Sequence, residues 1–241
     1  MNTTAEKTVR ELAVELPHAA RVFEKWGIDY CCGGGRSLTE ACEAAHVKVD
    51  QVLRALDGEP CAPAGSSPEH DWMTEPLSNL IEHIVNTHHK YTREELDRLT
   101  ALLDKVCSVH ATRHPELLRV QTHFIELKQE LTLHMMKEEK VLFPYLERME
   151  ESVLQKEPVV PPPFGTVQNP VHMMMQEHDS AGATLRVMRE ASDEYQAPAD
   201  GCFSYRTLYQ ALAAFEVDLH QHIHLENNIL FPRAVEMEGQ H

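Results

Sequence analysis

The sequence predicts an all-α protein, an antiparallel four-helix bundle preceded by a small helical domain. Three observations carry that prediction. Leu, Glu, Ala, Met and His are plentiful, while aromatic residues make up 6% of the chain and only 10 of 241 residues are glycine. Such a mixture favours helix over sheet. Beyond residue 76 apolar residues recur at three- and four-residue steps, as in Ile81, Val85, Thr92, Leu96, Leu99 and Leu103, which places one apolar stripe along a helix. Proline-containing breaks then cut this region into four long pieces, most economically arranged as an antiparallel bundle.

Taken in order, residues 1–57 hold short helical patterns such as VRELAVELP and HAARVFEKWG, interrupted by the turn DYCCGGGRS. The stretch DGEPCAPAGSSPEHD combines Pro, Gly and Ser, so 58–75 reads as a linker. The bundle region is 76–241, with helices expected at about 76–107, 115–149, 171–194 and 203–236. Between the second and third lies EPVVPPPFGTVQNP, which cannot be helical throughout.

Composition also excludes function classes. A formal charge of −16 argues against nucleic acid or an anionic membrane as partner, since both require a basic face. No apolar run approaches a membrane span, and the N-terminus lacks the apolar stretch of a secretory signal. The expectation is a cytoplasmic protein whose six cysteines, Cys31, Cys32, Cys42, Cys61, Cys107 and Cys202, are mostly reduced. The anomaly is the histidine content, 16 residues, many of them beside Glu in apolar helical contexts.

One motif explains part of that anomaly. HMMKEEKVLFP begins at His134, and HIHLENNILFP begins at His222. A single His–Glu pair at i, i+4 is usually a solvated surface pair. Here two pairs, His134/Glu138 and His222/Glu226, share the frame H-x-x-x-E-x-x-[VI]-L-F-P, each late in a long helix, which makes an internal repeat. At nearly equal distances upstream stand His89 and His178. The bundle then reads as two helical hairpins, each supplying His from one helix and His-x-x-x-Glu from the next. The i, i+4 spacing points both side chains to one face. Four imidazoles and two carboxylates are too many ligands for one tetrahedral zinc ion. They suit a pair of iron ions with two His each, Glu side chains able to bridge, and open positions for a small ligand. Without a cation, two carboxylates in an apolar centre would be costly to keep charged.

On the first helix His88 and His89 are adjacent, and the repeat spacing favours His89, leaving His88 a role beside a ligand. His83, His123, His172, His220 and His224 have no counterpart in the repeat and read as exposed or structurally satisfied. The Met-rich HMMMQEH ahead of His178 reads as flexible core filling rather than a thioether site.

LHMMKEEKVLFP, LENNILFPRA and QEHDSAG resemble the hemerythrin-like domain, and DYCCGGGRSL with its flanking helices resembles the small domain fused to it in the Repair of Iron Centres family. The resemblance spans nearly the whole chain. It implies metal ligands His89, His134, Glu138, His178, His222 and Glu226, and two non-haem iron ions bridged by Glu138 and Glu226 together with an oxo or hydroxo group. It also implies a stress-response role, repair of iron–sulfur clusters damaged by nitric oxide or peroxide, with damaged or apo iron–sulfur proteins as partners. Two chemistries would serve that role, donation of iron or reduction of NO to N2O, and whether the chain is an enzyme stays open between them. The alternative is a carrier or sensor that binds O2 or NO without turnover. Oxygen-carrying hemerythrins use five His and two carboxylates, whereas the motifs here supply four His and two Glu. A homodimer built through the small domain is conceivable.

Cys31 and Cys32 precede three glycines in a turn, where semi-exposed thiols are expected. Adjacent cysteines rarely form an unstrained disulfide. They read either as a turn tolerating small residues or as a thiol site for iron transfer, mixed-disulfide exchange or nitrosothiol chemistry. Cys42, Cys61, Cys107 and Cys202 read as incidental.

Overall fold

The computed structural model describes residues 6–16, 18–58 and 71–240, and these form eight helices with no strand among them. Four are short: α1 (Val9–Glu15), α2 (Ala19–Trp26), α3 (Leu38–Ala44) and α4 (Val49–Asp57). Helices α1 and α3 both begin with a capping box. Thr8 and Ser37 accept from the backbones of Glu11 and Glu40, whose carboxylates reach back to the caps. Gly27 ends α2 at φ 62°, a left-handed conformation that a side chain would strain. Val9, Leu12, Phe23, Tyr30, Leu38 and Val52 close a core of their own. Most of the expected linker, residues 59–70 including Cys61, lies outside the described residues.

The bundle helices are α5 (77–110), α6 (116–155), α7 (Gln168–Ala191) and α8 (203–239). They match the four expected helices to within a turn at each end, except that α6 runs on to 155, beyond the expected 149. Helix α7 stops short of the expected 194 because Asp193, Glu194 and Tyr195 all take left-handed backbone, with Ser192 Oγ accepting from the Tyr195 amide. The hairpin symmetry read from the repeat extends to the helix starts. Glu150, late in α6, accepts from the Leu77 and Ser78 amides at the start of α5. Glu238, late in α8, accepts from the Val167 amide just ahead of α7. Carboxylates at helix N-termini satisfy orphan N–H groups and favour the dipole.

Three bundle helices widen into a single π-helical turn: Ile84–His89 in α5, Glu138–Leu142 in α6 and Glu226–Leu230 in α8. The prolines of both LFP motifs, Pro144 and Pro232, follow directly on the last two. A proline in an ordinary helix clashes with the carbonyl four residues back and leaves it without a donor. The extra residue of a π turn shifts that carbonyl away, so both helices run on past the proline. The expectation that the proline bends or ends the ligand-bearing helix is replaced by this local widening.

Two apolar clusters fill the bundle. One holds Leu99, Phe124, Leu131, Leu212 and Phe215, the other Leu80, Ile84, Phe143, Leu146 and Phe231. No described helix is long and apolar enough to cross a membrane. The small helical unit packs on α8 at its π turn. Asn228 donates to the Tyr30 carbonyl at 2.9 Å, Arg10 donates to Asn228 at 2.8 Å, and His220 meets Glu24 at 2.8 Å. Gly34 permits the tight turn beneath this contact, since a Cβ there would stand 2.9 Å from the Tyr30 carbonyl and 3.4 Å from Asn228 Oδ1.

Candidate metal centre

The π turns set the site. His89 ends the one in α5, while Glu138 and Glu226 begin those in α6 and α8. His134 and His222 lie one turn before the two glutamates, and His178 projects from the middle of α7. All six side chains are buried, and they converge between the two apolar clusters.

They form two overlapping groups of four ligand atoms: His89, His222, Glu138 and Glu226, and His134, His178, Glu138 and Glu226. The two carboxylates belong to both. Glu226 Oε1 lies 3.0 Å from His222 Nε2, and its Oε2 lies 3.1 Å from His178 Nε2. Glu138 Oε2 is 3.4 Å from His89 Nε2 and 3.3 Å from His134 Nε2. The imidazole nitrogens face each other in pairs, His89 to His222 at 3.1 Å and His134 to His178 at 3.0 Å. Two nitrogens each about 2.1 Å from a shared ion, at near right angles, would stand about 3.0 Å apart.

The donor set also fits a cation on energetic grounds. Glu138 is 0% exposed, and neither of its oxygens has a hydrogen-bond partner. Glu226 Oε2 and His222 Nδ1 are likewise buried without one. Burying a carboxylate without hydrogen bonds costs several kcal/mol, which a bound cation offsets. Protons respond to the same field. Burial alone would lower His89, but Glu138 and Glu226 raise it to about 10, and Glu226 with Glu138 raises His178 to about 9. His222 is instead lowered by burial. The surrounding imidazoles hold Glu226 well below the usual carboxylate range despite its burial.

Residues beside the ligands, which the sequence did not single out, orient the rings. Glu139 meets His89 Nδ1 at 2.8 Å and is itself paired with Arg93. Glu177 meets His134 Nδ1 at 2.9 Å and is paired with Lys137. Asn227 Oδ1 accepts from His178 Nδ1 at 2.8 Å, and its amide donates to the Cys31 carbonyl at 3.2 Å. Such partners fix the tautomer and strengthen the donor nitrogen. The only signal in the sequence is adjacency, since Glu139, Glu177 and Asn227 each neighbour a repeat residue.

Of the adjacent pair, His89 enters the cluster. His88 turns away, with Nδ1 3.1 Å from Asp218 and its ring stacked on His222 at 5.8 Å between centroids. The five histidines named above as lacking a counterpart in the repeat find other partners: His83 against Trp72, His123 with Glu126, His172 with Gln176, His220 with Glu24 and His224 with Asn228. Met174 is buried in the core, as expected of filling, whereas Met173 is exposed.

The thiols differ from expectation. Cys32 is partly buried, but Cys31 is only 4% exposed. The cause is the docking just described, which presses the turn onto α7 and α8. Their sulfurs stand 3.8 Å apart, and Cys32 Sγ lies 3.5 Å from the His178 carbonyl. Asp29 accepts from both cysteine amides, and the three residues form a further group able to hold a metal. Cys42 and Cys107 are buried with thiols raised by that burial, while exposed Cys202 lies 3.1 Å from His110 Nε2.

With this geometry in hand, comparison with known proteins is direct. Residues 80–234 match the family described as the hemerythrin HHE cation binding domain, and residues 5–59 match ScdA_N, described as a domain of unknown function. The chain is 35% identical over 239 residues to a Musicola paradisiaca protein named iron-sulfur cluster repair protein YtfE, covering 97% of this chain and 98% of that one. Proteins of the same name from Citrobacter koseri and Yersinia pseudotuberculosis are each 34% identical over 230 residues, covering 95% and 94% of this chain and 97% and 96% of theirs.

Proposed function

This chain belongs to the hemerythrin HHE cation-binding family, with a ScdA_N domain ahead of the bundle, and we propose that it is a non-haem di-iron protein that repairs damaged iron–sulfur clusters. The observation that carries the reading is Glu138, a fully buried carboxylate that makes no hydrogen bond and is shared by two groups of imidazoles. His89 and His222 would hold one iron, His134 and His178 the other, with Glu138 and Glu226 between them and an oxo or hydroxo bridge completing the pair. The names of the relatives support repair as the role, and the cytoplasm under nitrosative or oxidative stress is the setting it implies.

The iron pair would supply two reducing equivalents and open positions for a diatomic ligand. The chain's own residues do the rest. A cavity of about 330 Å³ lined by Lys137, Glu177, His134 and His178 reaches one half of the centre from the surface. Glu177 and Lys137 at its wall keep charge where an ion or a proton would pass, while Leu131 and Ala181 keep the inner end apolar. That access would serve either chemistry, release of iron to an apo or damaged cluster, or entry of NO, two molecules of which would give N2O and water with two electrons from the iron pair and two protons.

Anaerobic protein loaded with ferrous iron tests both. It should restore the absorption of an apo iron–sulfur protein, or release about one N2O per iron pair when mixed with excess NO, and more than one only when a chemical reductant is supplied. The Glu138→Gln/Glu226→Gln variant should do neither. Reversible binding of NO or O2 with no cluster recovery and no N2O would replace this reading with that of a carrier or sensor.

A further inference from the structure

Between the small helical unit and the bundle lies a cavity of about 320 Å³. A second, of about 440 Å³, adjoins it, and the two share Asp29, Cys32, Gly182 and Arg186 in their walls. Cys32 thus stands where they meet, against the bare backbone of α7 at Gly182, where a Cβ would lie 3.4 Å from its sulfur. Neither cavity is lined by any of the six residues of the metal centre.

The walls hold polar atoms without protein partners. Trp26 Nε1, Tyr30 Oη and Glu216 Oε2 are buried and make no hydrogen bond, and Tyr30 and Glu216 are more than nine-tenths buried. Buried polar groups are nearly always satisfied, so an indole donor, a phenol and a carboxylate oxygen left open around one cavity call for a ligand carrying polar groups of its own. Charge narrows the choice. The walls carry Arg36, Arg186 and Arg189 among the carboxylates Glu24, Asp29, Asp179, Glu194 and Glu216, of which Glu24 is engaged by His220 and Glu194 by Arg189. Arg189 is engaged by Glu216, but exposed Arg36 and Arg186 form no ion pair among the described residues. Guanidinium groups are suited to binding carboxylates in bidentate fashion. An ammonium group would be received by the open oxygen of Glu216.

We propose that this cleft binds a low-molecular-weight thiol bearing carboxylates and an amine, of the glutathione class, with its sulfur against Cys32. Two arginines receive the carboxylates, and Cys32 is the partly exposed thiol while Cys31 is buried. When the ligand arrives as its disulfide, exchange is balanced without any other reactant: Cys32–SH and RSSR give Cys32–S–SR and RSH. The bond formed joins Cys32 Sγ to one ligand sulfur, the bond broken is that of RSSR, and the proton leaves with the second thiol. The adduct would remove the contact of Cys32 Sγ with the His178 carbonyl, so the thiol state of the cell is sensed at the edge of the metal centre.

The metal-free full chain tests this apart from the iron reading. Titration with reduced glutathione and with S-methylglutathione, followed calorimetrically, should give saturable binding for both, because both carry the same charges. Cysteamine, a thiol without carboxylates, should not compete. Arg186→Glu, an exposed substitution whose helix content is checked by circular dichroism, should weaken binding at least about tenfold. With oxidised glutathione, peptide mass mapping should find the adduct on Cys32, forming at least about tenfold more slowly in Arg186→Glu. No saturable binding, equal modification of wild type and variant, or an adduct confined to Cys202 would each overturn the proposal. Any of these could occur while iron loading and N2O release remain intact, so the two readings fail separately.

Discussion

Among the described glutamates Glu138 and its repeat partner Glu226 are the two that are 0% exposed, and four imidazoles surround them. His134, Glu138, His222 and Glu226 stood out in the sequence because a repeated eleven-residue frame separates such pairs from a chance surface pair, and His89 and His178 through their near-equal offsets upstream. The residues that hold the rings did not, because each finds its partner on another helix: Glu139 of α6 reaches α5, and Asn227 of α8 reaches α7. The two halves of the centre are consequently unequal. His89 and His134 lean on carboxylates, His178 leans on a neutral amide, and His222 Nδ1 has no partner. Asn227→Leu should therefore lower the affinity for ferrous iron about 10- to 100-fold while leaving the helices intact, as measured by anaerobic titration. Glu139→Gln, which keeps a hydrogen-bond acceptor, should cost less than Glu139→Leu. Equal affinity in all three variants would contradict the positioning role.

At the scale of the helix, the π turns are the feature that periodicity could not reveal. One extra residue in a single turn leaves the apolar stripe of a long helix recognisable, so the faces and most ends were predicted while the widening and the true end of α6 were missed. The LFP prolines were a visible trace of it, read as a bend or stop. Structurally, the extra residue rotates everything after it so that Leu142, Phe143 and Leu146 turn into the core. Lys140 is exposed within that turn, so deleting it removes no apolar contact of its own. The deletion should nevertheless rotate 141–155 by about 100° relative to 116–137 and cost more than about 4 kcal/mol. Chemical denaturation would show this as a midpoint far below that of Lys140→Ala, which should behave like wild type.

For the molecule as a whole, two helical units in the expected order were readable from composition, but their docking was not. It rests on Arg10, Tyr30 and Asn228, which lie far apart in sequence, and although each falls within a stretch already singled out, nothing in those stretches says that they meet. It also buries His224, which burial and the nearby Arg10 charge hold down at about 4. The unfolded chain takes up that proton near 6.5, so between these values the unfolded state binds more protons. The contribution is present above pH 6.5 and falls by about 3 kcal/mol as pH drops to 4. His220, raised above its ordinary value by Glu24 against the effect of burial, is protonated in both states across that window and does not offset the loss. Thermal unfolding of the metal-free protein should fall in midpoint between pH 6.5 and 5, and His224→Gln should flatten that dependence. The central claim is that six buried residues exist to hold two irons, and metal analysis of the purified chain tests it most directly. Wild type grown with iron should carry about two iron ions per chain, and Glu138→Gln/Glu226→Gln, folded by circular dichroism, should carry fewer than about one. A folded double variant that keeps two irons, or a wild-type chain that takes up none, would contradict it.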